Sequence, residues 1–253
     1  MKPTFLLGLD FETTGLDFEK DRITEVGAVL WDVSARAPVL IFNALVQDAD
    51  APEITEEITR LTGITQAMID EFGVEDSRVY ARLNDLMSKA DAVVAHNGCG
   101  FDRPMLDAQM RRYGEPTATL VRQAVEDRFD REKLWIDTCQ DVEYAAHITT
   151  RKLTHLAAEH GFLNPFSHRA VFDVLTMLKV LDGYDLGPVM ESAAQPMMTC
   201  FAVVSFADKE KAKARGYRWK AETKQWKKHV KAHKLEAEKA EAGCEIRVEE
   251  FQP

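Results

Sequence analysis

The chain has 253 residues, 45% of them apolar and 29% charged, with a formal net charge of −10. This composition excludes a disordered chain, and no apolar run approaches the roughly 20 residues of a membrane helix. The charge is uneven: residues 196–253 carry 13 basic against 9 acidic side chains, a balance of +4 on a body of −14. The four cysteines, Cys99, Cys139, Cys200 and Cys244, are far apart and form no C-x-x-C pair. That argues against structural zinc and against a disulfide framework. The apolar start is interrupted by Asp10 and Glu12 too early for a signal peptide, so a core strand in a cytoplasmic protein is expected.

Residues 5–11 and 23–33 are rich in Leu, Val and Ile, with Gly15 and Asp17 supplying a turn between them, and 38–46 is a third β-prone run. Residues 55–61 and 77–89 have helical spacing. A short buried strand at 92–95 leads into His96-Asn97-Gly98 and a helix over 101–113. Another strand at 134–138 precedes helices at 139–147, 152–160 and 168–181. A meander followed by alternating strands and helices predicts a mixed sheet with helices packed against it. Gly183, Gly187, Pro188 and Pro196 mark a linker. After it come a strand (199–206), a short helix (208–214), a hairpin (217–219 and 225–227), a charged helix (229–242) and a last strand (246–248). The expected organisation is an α/β domain over 1–183, a linker over 184–198 and a small basic α+β domain over 199–253.

Four acids stand among apolar neighbours: Asp10 and Glu12 at the end of the first strand, Asp102 at the start of a helix, and Asp173 within a helical run. A carboxylate in such a setting is costly unless a cation or donor meets it. Residues two apart on a strand share a face, so Asp10 and Glu12 project together while Phe11 packs on the other side. Hard oxygen donors suit Mg²⁺ or Mn²⁺ better than zinc, and two such ions about 4 Å apart can flank a scissile phosphate. His168 is the candidate general base, since imidazole exchanges protons near neutral pH. Five residues separate it from Asp173, about 140° around a helix, so it is expected in the loop or first turn before that helix. His96 is expected to be structural, and Asp137 is acidic and apolar-flanked as well.

Asp10-Phe11-Glu12-Thr13-Thr14-Gly15-Leu16, then residues 23–29, then Asn97 through Phe101-Asp102, then His168 through Asp173 as H-x-x-x-x-D, form an ordered set of motifs. The set resembles the DEDDh class of 3′→5′ exonucleases, which includes the proofreading epsilon subunit of bacterial DNA polymerase III. Asn97 and Asp102 are one residue further apart than in the epsilon-type pattern, a spacing similar to autonomous TREX-type exonucleases. The resemblance implies an RNase H-like fold, a mixed five-stranded sheet flanked by helices. It implies Asp10, Glu12, Asp102 and Asp173 as ligands to two Mg²⁺ ions, with His168 and Glu12 in the catalytic step, and it leaves Asp137 outside the ligand set as a structural residue. It also implies that Thr13, Gly15 and Leu16 line the terminal-nucleotide pocket, with Asn97 near the penultimate nucleotide. The product would be nucleoside 5′-monophosphates from a 3′ end, with DNA favoured over RNA. A ribonuclease and a non-catalytic nucleic-acid or polymerase-binding module are the rival readings.

Residues 201–235 hold 11 basic and 3 acidic side chains with Tyr217, Trp219 and Trp226 interleaved. Basic residues neutralise phosphates and aromatic faces stack on unpaired bases, which makes Arg218, Trp219, Trp226, Lys227 and Lys228 candidate contacts. Against this, a domain of this size needs its few aromatics for its own core, and that reading is favoured for the tryptophans. Docking to a replication or repair protein is a third use of the same charge.

Overall fold

The computed structural model describes residues 3–113, 133–221 and 223–251. The chain divides into two compact units, residues 1–189 and 190–253.

In the first unit, β1 (Phe5–Thr13) is largely buried along its length because it lies inside a sheet. β2 (Ile23–Asp32) and β3 (Ala37–Gln47) extend from it as the expected antiparallel meander. Two short helices follow, α1 (Glu56–Thr62) and α2 (Gln66–Phe72), whose first turns are capped by Thr55 and Thr65. β4 (Val74–Glu75), a two-residue strand, pairs parallel to β3 and makes the sheet six-stranded where five strands were expected. After α3 (Asp76–Lys89), β5 (Ala92–Ala95) pairs parallel to β1 on its other side. α4 (Asp102–Tyr113) and β6 (Leu134–Asp137) follow, giving the order β4-β3-β2-β1-β5-β6. α5 (Leu153–Glu159) and α6 (Ala170–Leu181) follow.

The strand period of two divides β1 between two environments. Leu7, Leu9 and Phe11 enter the main apolar core with Tyr80, Leu83 and Met87 of α3 and Met105 and Leu106 of α4. Gly8, Asp10 and Glu12 take the opposite face, toward α6. Two glycines permit that helix to approach. A Cβ on Gly8 would lie 2.6 Å from Val174 Cγ1, and one on Gly27 would lie 2.4 Å from the backbone of Ala170 and Val171. Gly27 pairs with Asp10 in the sheet register, so the first turn of α6 arrives beside Asp10.

The helix expected at 139–147 is absent; residues 138–141 form turns and 142–145 lack regular structure. Cys139 N–H donates to Asp137 Oδ1 (2.9 Å) and Asp137 N–H to Asp141 Oδ2 (2.8 Å). Asp141 N–H returns to the Asp137 carbonyl at 2.8 Å, and this single turn is not continued into a helix. The segment expected as a linker contains a helix, α7 (Leu186–Ala193).

In the second unit, β7 (Met197–Val203), β8 (Arg218–Lys220), β9 (Gln225–Lys231) and β10 (Glu245–Glu250) form an antiparallel sheet in the order β10-β7-β9-β8. α8 (Lys209–Ala214) and α9 (Leu235–Glu241) lie between strands in the chain. Cys200, Ala202, Ala212, Tyr217 and Val230 form its core. Residues 229–231, expected as helix, belong to β9, because His229 and Lys231 find pairing partners in Thr199 and Met197. No helix among the described residues is long and apolar enough to cross a membrane.

Candidate metal centre

Asp10 and Glu12 project from one face of β1, and Asp173 comes from the first turn of α6. Carboxylate oxygens of the three lie within 4.8 Å of one another. Burial pushes Asp10 well above the usual carboxylate range, and Asp102, Glu12 and Asp173 push it further. Glu12 is pushed up to about 8, first by burial and then by Glu25, Asp173 and Asp102. Asp173 is raised too, chiefly by burial. Like charges held this close in a partly desolvated site favour either protons or a cation. The donors are all carboxylate oxygens, and the group fits a hard divalent cation.

Asp102 opens α4 and is only 2% exposed. Its Oδ1 accepts the N–H of Phe11 at 3.2 Å, tying it to β1 midway between Asp10 and Glu12. Burial lifts it to about 7. Its oxygens fall outside the 4.8 Å trio, yet its charge is the second largest influence on Asp10. The loop before it is fastened by Asp137, whose carboxylate accepts the N–H groups of Asn97 (3.0 Å), Cys99 (3.2 Å) and Cys139. Burial lifts Asp137 to about 6. His96 lies between Thr138 Oγ1 (2.7 Å) and the Arg151 carbonyl (2.6 Å), and burial lowers its proton affinity. Both residues are tethers that hold the segment leading to Asp102.

His168 lies in the turn before α6, exposed, with a positive φ of 63°. Its N–H donates to Asp173 Oδ2 at 2.8 Å, while Asn164 Nδ2 donates to Oδ1 at 2.7 Å. The backbone of His168 is thereby fixed to one of the three clustered carboxylates, and the residue's charge favours the ionised form of Asp173. Thr13 is buried and its Oγ1 donates to the Gly15 carbonyl (2.6 Å). A Cβ on Gly15 would sit 2.4 Å from Asp21 Oδ2, so a larger residue there would have to displace the Asp21 carboxylate that accepts from Thr14 and Asp17. Leu16 is 80% exposed, and Asn97 is exposed with φ 65°.

One pair escaped sequence reasoning. Glu25, directly opposite Glu12 in the sheet, is wholly buried. It accepts from Arg169 Nη2 (2.7 Å), Ala170 N–H (3.0 Å) and Asn43 Nδ2 (3.0 Å). Its carboxylate thus holds the start of α6, where the helix dipole favours negative charge. The available signal was an acid inside an otherwise buried strand.

In the second unit, Trp219 is half-exposed and meets Trp226 at 5.7 Å between ring centroids. Trp226 packs against the small core and Tyr217 is within it. Lys228 is committed to Glu238 at 2.7 Å, and Arg218 and Lys227 face each other across β8 and β9.

The DNA polymerase III PolC-type protein of Mycoplasma pneumoniae is 28% identical over 181 residues, covering 71% of this chain and 11% of its own length. This chain therefore spans about a tenth of that relative. An Escherichia coli ExoI–single-stranded DNA complex shares the fold with TM-score 0.57 and 14% identity, over 80% of this chain and 48% of that one. The nuclease domain of 3′hExo, a DEDDh family member bound to rAMP, matches with TM-score 0.55 and 19% identity, over 72% and 91%. Residues 7–181, the segment that holds all four acids and His168, match the RNase T exonuclease family, and the chain belongs to that family.

Proposed function

We propose that the protein is a metal-dependent 3′→5′ exonuclease that releases nucleoside 5′-monophosphates from DNA 3′ ends. The observation that carries this reading is the meeting of Asp10, Glu12 and Asp173 within 4.8 Å. In this reading Asp10, Glu12, Asp102 and Asp173 hold two Mg²⁺ ions, with Mn²⁺ able to substitute. Such ions, when bound, polarise the scissile phosphate and make water a stronger nucleophile. His168 takes the proton from that water, and its backbone bond to Asp173 keeps base and carboxylates in step. Thr13, Gly15 and Leu16 receive the terminal nucleotide, Leu16 offering an exposed apolar edge to the base. Asn97 meets the penultimate nucleotide.

DNA is favoured because the curated relatives carry DNA polymerase names. The same likeness supports a working association with replication or repair proteins. The four cysteines are not joined in disulfides, which supports a reducing, cytoplasmic setting. The test is digestion of 5′-labelled single-stranded DNA, duplex DNA and RNA with Mg²⁺, against EDTA and Asp102→Ala controls. Stepwise shortening of DNA that needs metal and Asp102 is expected. No release from any substrate, or release indifferent to Asp102→Ala, overturns the proposal; shortening of RNA alone makes the protein an exoribonuclease.

A further inference from the structure

The second unit has a groove of about 760 Å³ between α8 and the β8–β9 hairpin. That volume lies within the roughly 300–1,000 Å³ of small-molecule sites. Trp219 and Trp226 form its aromatic wall, with rings 5.7 Å apart and inclined at 58°. Trp226 is anchored on the unit's core, whereas half of Trp219 faces solvent. Lys209, Lys213, Lys224 and Arg247 line the same groove, and Glu210 is the one acid among its described lining residues. Lys209 and Lys213 stand four residues apart on α8, about 6 Å along its axis, so they present charge along one side.

A flat, half-exposed indole beside a row of cations matches the chemistry of an unpaired nucleotide: a π-face for the base, ammonium and guanidinium groups for the phosphates. We propose that this groove is a second nucleic-acid contact, seating a base of a single strand on Trp219 and its flanking phosphates on Lys209, Lys213, Lys224 and Arg247. It keeps Trp219 and Trp226 of the contacts the sequence suggested but not Arg218, Lys227 or Lys228, which do not line it; Lys213 and Arg247 stand 3.8 Å from Glu210 and 3.4 Å from Glu249, partners that phosphates would displace. A duplex does not suit it, because paired bases offer no free face. The choice of ligand rests on the exonuclease reading of the first unit; the groove itself does not.

The test uses the full chain carrying Asp102→Ala, in EDTA, with fluorescein-labelled dT20 followed by anisotropy across a salt series. Trp219→Ala is expected to weaken binding roughly ten-fold. Lys213→Glu is expected to lower the slope of log affinity against log salt by about 0.7, the share of one single-strand phosphate. In chains with Asp102 intact, both substitutions are expected to leave hydrolysis of the p-nitrophenyl ester of thymidine 5′-monophosphate unchanged. If both variants bind dT20 like the parent, the proposal is overturned. It is equally overturned if a polyglutamate peptide binds the parent and only that binding is lost, which would make the groove a protein-docking site. Should Trp219→Ala lower the melting temperature, Trp219→Phe, expected to retain binding, and Lys213→Glu decide the matter. Failure of the chain with Asp102 intact to hydrolyse the ester would tell against the exonuclease reading alone, because dT20 binding is measured without turnover.

Discussion

Glu12 is 9% exposed, faces a second buried acid across the strand pair, and has two aspartates beside it. Without a cation it holds its proton up to about pH 8, against an ordinary carboxylate value of 4.5. The folded metal-free chain thus binds more protons than the unfolded chain between those values, and stability falls as pH rises through that window. Asp10, Asp102 and Asp173 are shifted in the same direction. Melting in EDTA is therefore expected at lower temperature at pH 8 than at pH 5, with Mg²⁺ giving its largest rise at pH 8. A melting temperature that climbs with pH in EDTA would contradict the electrostatics of the site. Glu12→Gln removes one of the crowded charges, so it is expected to raise the metal-free melting temperature while abolishing the Mg²⁺-dependent rise and the activity. His168→Ala should separate the two roles. A loss of about 10²- to 10⁴-fold in kcat is expected, with the Mg²⁺-dependent rise retained because the carboxylates are untouched.

At the scale of elements, the site depends on how α6 sits on the sheet. Gly8 and Gly27 let it approach, and Glu25 grips its first residues through Arg169 and the Ala170 N–H. Arg169→Ala would leave Glu25 buried with fewer donors, an expected loss of about 3 kcal/mol in urea unfolding. Gly27→Ala would drive a methyl group into the backbone at Ala170 and Val171, displacing the turn that carries Asp173. A loss of about 1–3 kcal/mol is expected, together with a weaker Mg²⁺-dependent rise in melting temperature. An unchanged metal response in Gly27→Ala would show that Asp173 tolerates movement of its helix. The acids were legible in the sequence because charge inside an apolar run is a local signal, and His168 was legible as lying ahead of the helix. The clamp was not. Glu25 and Arg169 are 144 residues apart, and nothing in either neighbourhood marks the other as its partner.

At the scale of the whole molecule, each unit has its own apolar core, around Leu7, Leu9 and Phe11 in the first and around Cys200, Tyr217 and Val230 in the second. Separate cores make separate unfolding steps the expectation. Calorimetry should resolve two transitions, with Mg²⁺ raising only that of residues 1–189, which hold the carboxylates. A single transition moved as one by metal would show that the units unfold together. The sequence by itself determined the meander, the placement of Asp10 and Glu12 on one face of a strand, and the basic character of the tail, because strand alternation and charge are properties of near neighbours. Only the tertiary structure decided that Asp173 reaches that same face, that Asp102 stands behind the Phe11 amide, and that Trp219 borders a groove while Tyr217 is buried. Those outcomes depend on which distant surfaces close on one another, and the energy of that packing has no counterpart in any short stretch of chain.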